Sequence, residues 1–424
     1  MSRYQVAIVG AGPAGLAAAG EAHAAGARAL LIEERPALGG RAMIVPGARG
    51  LTEGLMRDLG GVDVWRSSPV WGLFGRALAV LRGDRTEIVT ADAVILATGA
   101  RETMLPFPGW TLDGVMTVEA GWEAVRGGRI GSGTGPVIVT GGAEAGGLAT
   151  RLADRGVAVA TVGPARPSGA SEGIPHHAGA LAAAEGGEVL ERIVLTDGAV
   201  HECRMLCVES PRVPLVELAR LAGCPCTYEP RLGGTVPRYD PRFALHGPTP
   251  QLYVAGDAAG VDSPRAAAET GRLAARYALQ ALGLLADAQA KIEESRRRLA
   301  AASYPMPGRA REALMLGAVP LDVMETLDVP GETVICPCEG VTVSALAAAV
   351  AEDARAPDDL ARWTRCGMGV CRWRRCGEPV LRWLGGALGV PIGRLPLPSV
   401  TPPVRPVPIS ALAHSGAPAP AGHA

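Results

Sequence analysis

The architecture of this chain is set near its N-terminus by residues 4–34, which read YQVAIVGAGPAGLAAAGEAHAAGARALLIEE. The apolar, β-branched run at 4–9 predicts a buried strand, and it opens directly into the glycine-rich turn GAGPAG at 10–15. An alanine-rich stretch with no helix breaker before Gly26 predicts a helix, and the segment after it predicts a second buried strand that ends in two acids. The order of strand, glycine turn, helix and strand therefore predicts a parallel βαβ unit.

The glycines of this turn have different tasks in a nucleotide site. Gly10 permits the tight turn, Gly12 lets a pyrophosphate approach the backbone, and Gly15 lets helix and strand pack closely. Phosphates would then bind at the helix N-terminus, where free N–H groups and the helix dipole favour anions. Glu33 ends the second strand, 18 residues after Gly15, and is expected to accept the ribose hydroxyls. The predicted nucleotide-contacting set near the turn also includes Pro13, Ala14 and Glu34.

Length, composition and charge restrict the class of protein. The 424 residues suggest about two to three domains, and an apolar content of 48% suffices for several cores. A formal net charge of −1 argues against a nucleic-acid binder, which needs a basic surplus for the phosphate backbone. The sequence has neither an uncharged apolar run of membrane-spanning length nor a basic N-terminal signal region. We therefore expect a cytoplasmic protein, with any membrane association peripheral and made through a complex.

Three later segments favour FAD as the nucleotide. They are LGGR at 38–41, VILATGA at 94–100 and TPQLYVAGDAAG at 249–260. In this order they resemble the two-dinucleotide-domain flavoproteins of the glutathione-reductase-like fold. The resemblance implies that Asp257, directly after the last strand, hydrogen-bonds the ribityl chain of the flavin. It also implies cofactor contacts from Gly40, Arg41, Thr98, Gly99 and Gly256.

A second βαβ pattern at 137–156, VIVTGGAEAGGLATRLADRG, is degenerate as a nucleotide site. Ala143 stands where the close-approach glycine belongs, and the next strand ends in Gly163 instead of an acid. An NADP site would need basic residues there, and Arg166 is close by. The middle domain is therefore either a structural domain without a nucleotide or a site for ATP or NAD(P). A disulfide reductase is not expected, because the chain has no CxxC pair.

The nine cysteines are too sparse for a disulfide scaffold, but five of them lie between Cys336 and Cys376. In a reducing compartment such a cluster indicates metal ligation. Cys336 and Cys338 form a CxC pair, and Cys371 and Cys376 form a Cx4C pair. Four thiolates from two segments can hold a [2Fe–2S] cluster or a zinc ion. Cys366 leaves an alternative open, because it could form a Cx4C pair with Cys371 in place of Cys376.

The cysteine region carries a specific family resemblance. CPCEGVT at 336–342, followed by TRCGMGVCRWRRCG at 364–377, resembles the bacterioferritin-associated-ferredoxin-like [2Fe–2S] domain fused to one subunit of bacterial multi-subunit amino-acid dehydrogenases. The segments ATGARETMLPFPGWTLDGVMT at 97–117 and TPPVRPVPISALA at 401–413 resemble the same family. It includes the A subunits of opine oxidases, the B subunits of hydrogen cyanide synthases and the α subunits of dye-linked proline and hydroxyproline dehydrogenases.

This resemblance selects the cluster ligands and also shows where the chain departs from the family. It implies a [2Fe–2S] cluster, because the spacing and the closing Gly377 match the family pattern. The usual GMGPCQG is GMGVCRW here, so Val370, Arg372 and Trp373 are unusual, and Cys366 replaces a small residue. The implied ligands are Cys336, Cys338, Cys371 and Cys376.

The expected fold class is α/β, a two-dinucleotide-binding-domain flavoprotein with a small helical [2Fe–2S] domain at its C-terminal side. The tail is rich in proline and is expected to pack no core. The expected boundaries are 1–115 and 246–301 for the two parts of the FAD-binding domain, 116–245 for the second nucleotide-binding-like domain, 302–330 for a linker, 331–392 for the [2Fe–2S] domain and 393–424 for the tail.

The resemblance implies a subunit that transfers electrons. The amino-acid site would lie on a glycine-oxidase-like FAD subunit (β), with a small [2Fe–2S] ferredoxin-like subunit (γ) and a quinone or dye as acceptor. Consistent with this division, the sequence shows no nucleophile–base set, and no catalytic residue is assigned to the chain. Two alternatives stay open: an NAD(P)H-dependent flavin and iron–sulfur reductase, and a nucleotide-binding scaffold that carries no electrons. The partner subunit would recognise the electron donor, such as proline, hydroxyproline, an opine or glycine.

Overall fold

The computed structural model describes residues 2–44, 47–285, 287–316 and 324–413, and it divides into two compact units. Unit 1 comprises Met1–Arg101, Arg212–Leu321 and Ser399–Ala424, and unit 2 comprises Glu102–Pro211 and Asp322–Pro398. Residues 212–245, which the sequence assigned to the middle domain, thus belong to unit 1. No helix among the described residues has the length and apolar content that a membrane crossing requires.

The strands follow the apolar runs of the sequence. They are β1 (Ser2–Val9), β2 (Ala29–Ile32), β3 (Asp63–Trp65), β4 (Val70–Phe74), β5 (Ala77–Arg82), β6 (Arg85–Leu96), β7 (Ala100–Glu102), β8 (Val115–Thr117), β9 (Val137–Thr140), β10 (Val159–Gly163), β11 (His176–Ala178), β12 (Leu181–Gly186), β13 (Leu190–Leu195), β14 (Val200–Glu202), β15 (Met205–Val208), β16 (Arg212–Pro214), β17 (Cys226–Glu229), β18 (Gly234–Pro237), β19 (Leu252–Val254), β20 (Val334–Cys336) and β21 (Val341–Thr342).

The helices are mostly rich in alanine and arginine. They are α1 (Pro13–Ala24), α2 (Arg49–Arg57), α3 (Val118–Arg126), α4 (Ala143–Ala153), α5 (Glu217–Leu221), α6 (Pro264–Ala281), α7 (Ala288–Ala302), α8 (Pro305–Met315), α9 (Val343–Ala351), α10 (Pro357–Thr364), α11 (Gly377–Leu388) and α12 (Ile409–Ala413).

Unit 1 is built on a sheet of order β3-β2-β1-β6-β5-β4, with β19 pairing to β6. Strand β1 runs parallel to β2 and β6, and β19 also runs parallel to β6. Val6, Ile8 and Leu31 are fully buried, as expected for continuous apolar strands of a covered parallel sheet. The carboxyl ends of these four strands share one edge, so the residues that follow them are brought together there.

Unit 2 has a parallel sheet of order β11-β10-β9-β15-β8 and a three-stranded antiparallel sheet, β12-β13-β14. The second βαβ pattern forms β9, α4 and β10 as predicted. The cysteine-bearing segment contributes the hairpin β20-β21 and helices α9 to α11. Its first strand is held by Trp110, whose indole Nε1 donates to the carbonyl oxygen of Val334 at 2.6 Å.

The proline-rich tail packs against unit 1, so the prediction that it packs no core is wrong for residues 399–413. Val404 is only 5% exposed, within the main core of the unit, and its N–H donates to the carbonyl oxygen of Trp71 at 2.8 Å. Proline prevents regular helix or sheet, but an extended segment can still bury the apolar side chains between its prolines. Residues 414–424 of the predicted tail lie outside the described residues.

The segment after β19 forms two helices, α6 and α7, because α6 ends before Gly283, which has a φ of 71°. Part of the predicted linker 302–330 is helical, because it contains α8. Proline is tolerated at Pro305 because the first turn of a helix does not use the N–H group that proline lacks. Residues 317–323 of that linker lie outside the described residues.

Candidate nucleotide sites and cysteine centre

The glycine turn after β1 forms the cradle that the sequence predicts. Gly10 has a φ of 102°, and a Cβ on it would lie 2.3 Å from the carbonyl oxygen of Ala97. A Cβ on Gly15 would lie 1.8 Å from the carbonyl oxygen of Gly10, so close packing requires both glycines. Around Gly12, by contrast, a Cβ would meet no atom within 4 Å, and α1 has no side-chain cap. The N-terminus of α1 is therefore accessible to a phosphate group.

Glu33 lies at the end of β2, beside this turn, and is 6% exposed. Its Oε2 accepts a hydrogen bond from the N–H of Ala11 at 2.7 Å, and its Oε1 accepts one from Arg35 N–H at 2.9 Å. Burial raises the pKa of the carboxyl group, and the two backbone donors oppose that rise. Each oxygen keeps a second lone pair, so the carboxylate can hold the turn and still accept ribose hydroxyls. The sequence did not predict that Glu33 also holds the glycine turn.

Glu34 has a different environment from its neighbour. Its carboxylate accepts a hydrogen bond from Arg405 Nε at 2.8 Å, and its side chain is 44% exposed. This ion pair links the end of β2 to the C-terminal segment of unit 1. Glu34 thus contacts a protein side chain, whereas the sequence predicted that it contacts the cofactor.

Asp257 follows β19 at the same edge of the sheet. Its carboxylate lies 3.8 Å from the guanidinium of Arg212 and accepts a hydrogen bond from the N–H of Asp262 at 3.3 Å. Burial raises the pKa of Asp257, while Arg212 acts to lower it. The N–H of Gly256 donates to Thr270 Oγ1 at 2.8 Å, which fixes the turn before the acid. The sequence missed Arg212, which comes from a distant segment and belongs to no motif.

The other predicted cofactor residues lie on loops that follow the parallel strands. Thr98 Oγ1 donates to the carbonyl oxygen of Leu215 at 2.7 Å, and Leu215 N–H donates back to Gly99 at 2.9 Å. Gly40 lies against the glycine turn, since a Cβ on it would be 3.2 Å from Gly12 Cα. Unit 1 thus brings together residues that follow β1, β2, β6 and β19. They are Gly10, Gly12, Pro13, Ala14, Gly15, Glu33, Glu34, Thr98, Gly99, Gly256 and Asp257.

The corresponding turn of unit 2 is occupied by an acidic side chain that follows another strand, which the sequence did not predict. Glu209 follows β15, and its Oε2 accepts hydrogen bonds from Gly142 N–H at 2.8 Å and Ala145 N–H at 3.1 Å. The N-terminus of α4 is therefore capped by a carboxylate from within the unit. Arg166, considered for a phosphate, instead donates to the carbonyl oxygen of Ile174 at 2.6 Å.

The cysteines of the C-terminal segment converge. The Sγ atoms of Cys336, Cys366 and Cys376 lie within 4.8 Å of one another, and all three residues are buried. The thiol of Cys371 contacts those of Cys376 and Cys338, so the five cysteines form one connected group. Contacts with the Cys366 and Cys376 thiols lower the pKa of Cys336, and contact with Cys376 lowers the pKa of Cys371 to about 5.

The backbone around these cysteines also suits thiolates. Backbone N–H groups of Gly367 and Glu339 point at the sulfur of Cys336. A Cβ on Gly369 would lie 2.4 Å from Cys338 Cβ, so the loop crosses this cysteine closely. Backbone donors around buried sulfurs are the usual surroundings of thiolate ligands of metal clusters.

The other four cysteines have none of these features. Burial raises the pKa of Cys203 and Cys224 to about 11, and that of Cys207 and Cys226 to about 12. Within the described residues, the set of Cys336, Cys366 and Cys376 is the one group of three or more side chains spaced for a metal ion. These four cysteines therefore act as small apolar side chains.

The fold and the first site define an α/β oxidoreductase with a dinucleotide-binding domain. Residues 4–275 match the family model described as pyridine nucleotide-disulphide oxidoreductase. Among the opine oxidase A subunits, that of Agrobacterium tumefaciens (strain Ach5) is 30% identical, over 87% of this chain and 83% of that relative. The chain therefore belongs to the pyridine nucleotide-disulphide oxidoreductases, in the family that includes the opine oxidase A subunits.

Further similarities agree with this assignment. The hydrogen cyanide synthase subunit HcnB of Pseudomonas aeruginosa is 29% identical, over 86% of this chain and 89% of that protein. Among solved structures, the L-proline dehydrogenase from P. horikoshii superposes with a TM-score of 0.77 at 22% identity, over 97% of this chain and 80% of that one. The thioredoxin reductase of T. acidophilum gives 0.53 at 17% identity, over 66% of this chain and 99% of that one. The predicted family and the α/β flavoprotein fold are thus confirmed, and the family supports FAD in the first site.

Proposed function

We propose that the chain is the FAD- and [2Fe–2S]-containing electron-transfer subunit of a heteromeric amino-acid or opine dehydrogenase. The observation that carries this proposal is the convergence of five thiols from two segments, one around Cys336 and one from Cys366 to Cys376. A set of converging thiols, four of which are buried, has little use in a protein that only binds a nucleotide. It suits a chain that moves electrons between cofactors.

The first site supplies the groups that FAD needs. The free N–H groups at the start of α1 would hold the pyrophosphate, and Glu33 would accept the ribose hydroxyls. Asp257, held beside Arg212, would accept a hydrogen bond from the ribityl chain. Bound flavin exchanges one or two electrons and a [2Fe–2S] cluster exchanges one, which links a two-electron donor to a one-electron chain. The protein's part is to bind and orient the two groups.

The cysteine centre offers two pairs of touching thiols, as two iron ions need. Cys338 contacts Cys371, and Cys336 contacts both Cys366 and Cys376. We assign the four other than Cys366 as the ligands within a bacterioferritin-associated-ferredoxin-like domain at 331–392. Backbone donors at Cys336 would stabilise the thiolate form.

The names of the relatives support a complex, since both are called subunits. We propose a glycine-oxidase-like FAD subunit (β) that oxidises a CH–NH or CH–NH₂ donor, a small [2Fe–2S] ferredoxin-like subunit (γ), and a quinone or dye as acceptor. The loop over the cysteine centre exposes Met368 by 56% and Val370 by 81%. Exposed apolar side chains beside buried ligands suit a contact with an electron-transfer partner.

Cofactor analysis of the purified full chain tests this function. We expect flavin absorption near 450 nm and, per chain, about two irons and two labile sulfides. Replacing Cys371 by Ser should remove the iron and sulfide and leave the flavin, whereas replacing the buried Cys203 by Ser should leave both. Zinc without iron, or a colourless protein, would refute the assignment.

The partner provides a second test. The chain alone should oxidise none of proline, hydroxyproline, glycine or an opine with an artificial dye, and the reconstituted complex should oxidise one of them. In that complex, Cys371→Ser should abolish dye reduction. Undiminished dye reduction by this variant would favour the scaffold alternative, in which the chain carries no electrons.

A further inference from the structure

The helices of the two βαβ units differ at their N-termini: that of α1 is open, and that of α4 is filled by a side chain. In unit 1, α1 has no side-chain cap, and a Cβ on Gly12 would meet no atom within 4 Å. In unit 2, the same place at the start of α4 is filled by the side chain of Glu209. The chain therefore contains its own comparison between an open cradle and a filled one.

The carboxylate of Glu209 uses the donors that a pyrophosphate would use. Its Oε2 accepts from the N–H groups of Gly142 at 2.8 Å and Ala145 at 3.1 Å, which are the cap and third positions of α4. The side chain also lies directly on the glycine turn, because a Cβ on Gly141 would be 2.3 Å from Glu209 Cβ. An incoming phosphate would have to displace this group before it could reach the backbone.

The backbone fixes Glu209 in this position. Strand β15 pairs in parallel with β9, placing Val208 opposite Thr140. The N–H of Glu209 then donates to the carbonyl oxygen of Thr140 at 2.8 Å. The side chain therefore leaves the sheet beside the first residue of the glycine turn. Its position follows from strand register and does not depend on a mobile loop.

Charge adds to the steric effect. A helix N-terminus attracts an anion through its dipole and its free N–H groups, and Glu209 supplies that anion from within the protein. The same carboxylate repels the phosphates of a nucleotide. The end of β10, where an NAD site would have an acid for the ribose, is Gly163. This unit therefore lacks both an open helix N-terminus for the phosphates and an acid for the ribose.

We propose that Glu209 is an internal anion that closes the second nucleotide-binding unit to pyrophosphate-containing nucleotides, NAD(P)H and ATP included. Glu209 is then the residue that determines nucleotide specificity in unit 2. The site beneath it is latent, and removal of the carboxylate exposes an anion-binding cradle for a nucleoside diphosphate. This proposal does not depend on the cysteine centre or on the partner subunits.

Titration calorimetry with ADP tests the proposal on the full chain loaded with FAD, so that the first site is already filled. The native protein should show no binding of ADP or NADH at millimolar concentration. Glu209→Ala should bind ADP at least tenfold more tightly than the native protein, with Glu209→Gln intermediate, because Gln fills the cradle without the charge. A matched control is Glu144→Gln, since Glu144 is a half-buried acid in the first turn of the same helix and should not change binding.

A double variant locates the gained binding. A Cβ on Gly142 would lie 3.7 Å from the Glu209 carboxylate, so Val at this position would occupy the cradle. Glu209→Ala combined with Gly142→Val should lose the ADP binding that Glu209→Ala gains. If Glu209→Ala does not fold, the comparison of Glu209→Gln with the native chain decides. Native binding of ADP or NADH as tight as that of the variants, or no gain in either Glu209 variant, would overturn the proposal.

Discussion

The Sγ atom of Cys366 lies within 4.8 Å of the Sγ atom of Cys376, although the family resemblance selects only the second of these as a ligand. Both thiols also contact Cys336. The centre therefore holds one more thiol than a four-cysteine cluster uses. The extra thiol, Cys366, is buried beside the assigned ligands. It could therefore act as a ligand although the four assigned cysteines suffice.

This arrangement predicts different results for two serine variants. Cys366→Ser should keep the full iron and sulfide content, because the four assigned ligands remain. Cys376→Ser should keep a cluster with altered absorption and electron paramagnetic resonance, since Cys366 can take its place beside Cys336. The double variant should lose the cluster. Loss of iron from Cys366→Ser alone would show that Cys366 is a native ligand.

The glycine turn predicts a separation of binding from folding. With both proteins free of FAD, Gly12→Val should leave the thermal unfolding temperature nearly unchanged, because its Cβ meets no atom within 4 Å. The variant should nevertheless fail to bind FAD. Gly15→Ala should destabilise the protein by about 3 kcal/mol, because its Cβ would lie 1.8 Å from the carbonyl oxygen of Gly10. Flavin absorbance per chain and calorimetric unfolding measure the two effects. Normal flavin content in Gly12→Val would contradict the assigned pyrophosphate position.

The C-terminal segment predicts a stability effect far from any cofactor. Val404→Ala should lower the free energy of unfolding by about 2 kcal/mol, since it removes buried methyl groups from the core of unit 1. Ile409→Ala is the matched control, because Ile409 is 84% exposed and should change stability by less than about 0.5 kcal/mol. Chemical denaturation measures both. Equal effects from the two variants would mean that the tail does not pack as described.

Glu33 predicts a pH dependence of stability in the FAD-free protein. Burial raises the pKa of its carboxyl group above the unfolded value of 4.5, so the folded state favours the neutral form more than the unfolded chain does. The resulting stabilisation is fully present below pH 4.5 and is lost as the pH rises through the folded-state pKa. Relative to Glu33→Gln, the native free energy of unfolding should therefore fall across this window. Urea titrations at a series of pH values test the sign, and a parallel pH dependence of both proteins would contradict it.

The sequence predicted the features whose residues are close together in the chain. The glycine turn, its helix and Glu33 lie within one short segment, so their spacing alone places them together. The same holds for the CxC and Cx4C pairs of the cysteine region. The tail was predicted wrongly because proline content reports on regular structure and not on the burial of a side chain such as Val404.

The tertiary structure alone decided the contacts between distant segments. Glu209 and Ala145 are 64 residues apart, and no motif joins them, yet the parallel register of β15 with β9 places the carboxylate on the turn. Arg212 also reaches Asp257, and Cys366 reaches Cys336, through contacts between segments that no motif connects. Local patterns set which βαβ units form, because backbone conformation depends on near neighbours. Which cradle stays open depends on strand pairing, which is a property of the whole fold.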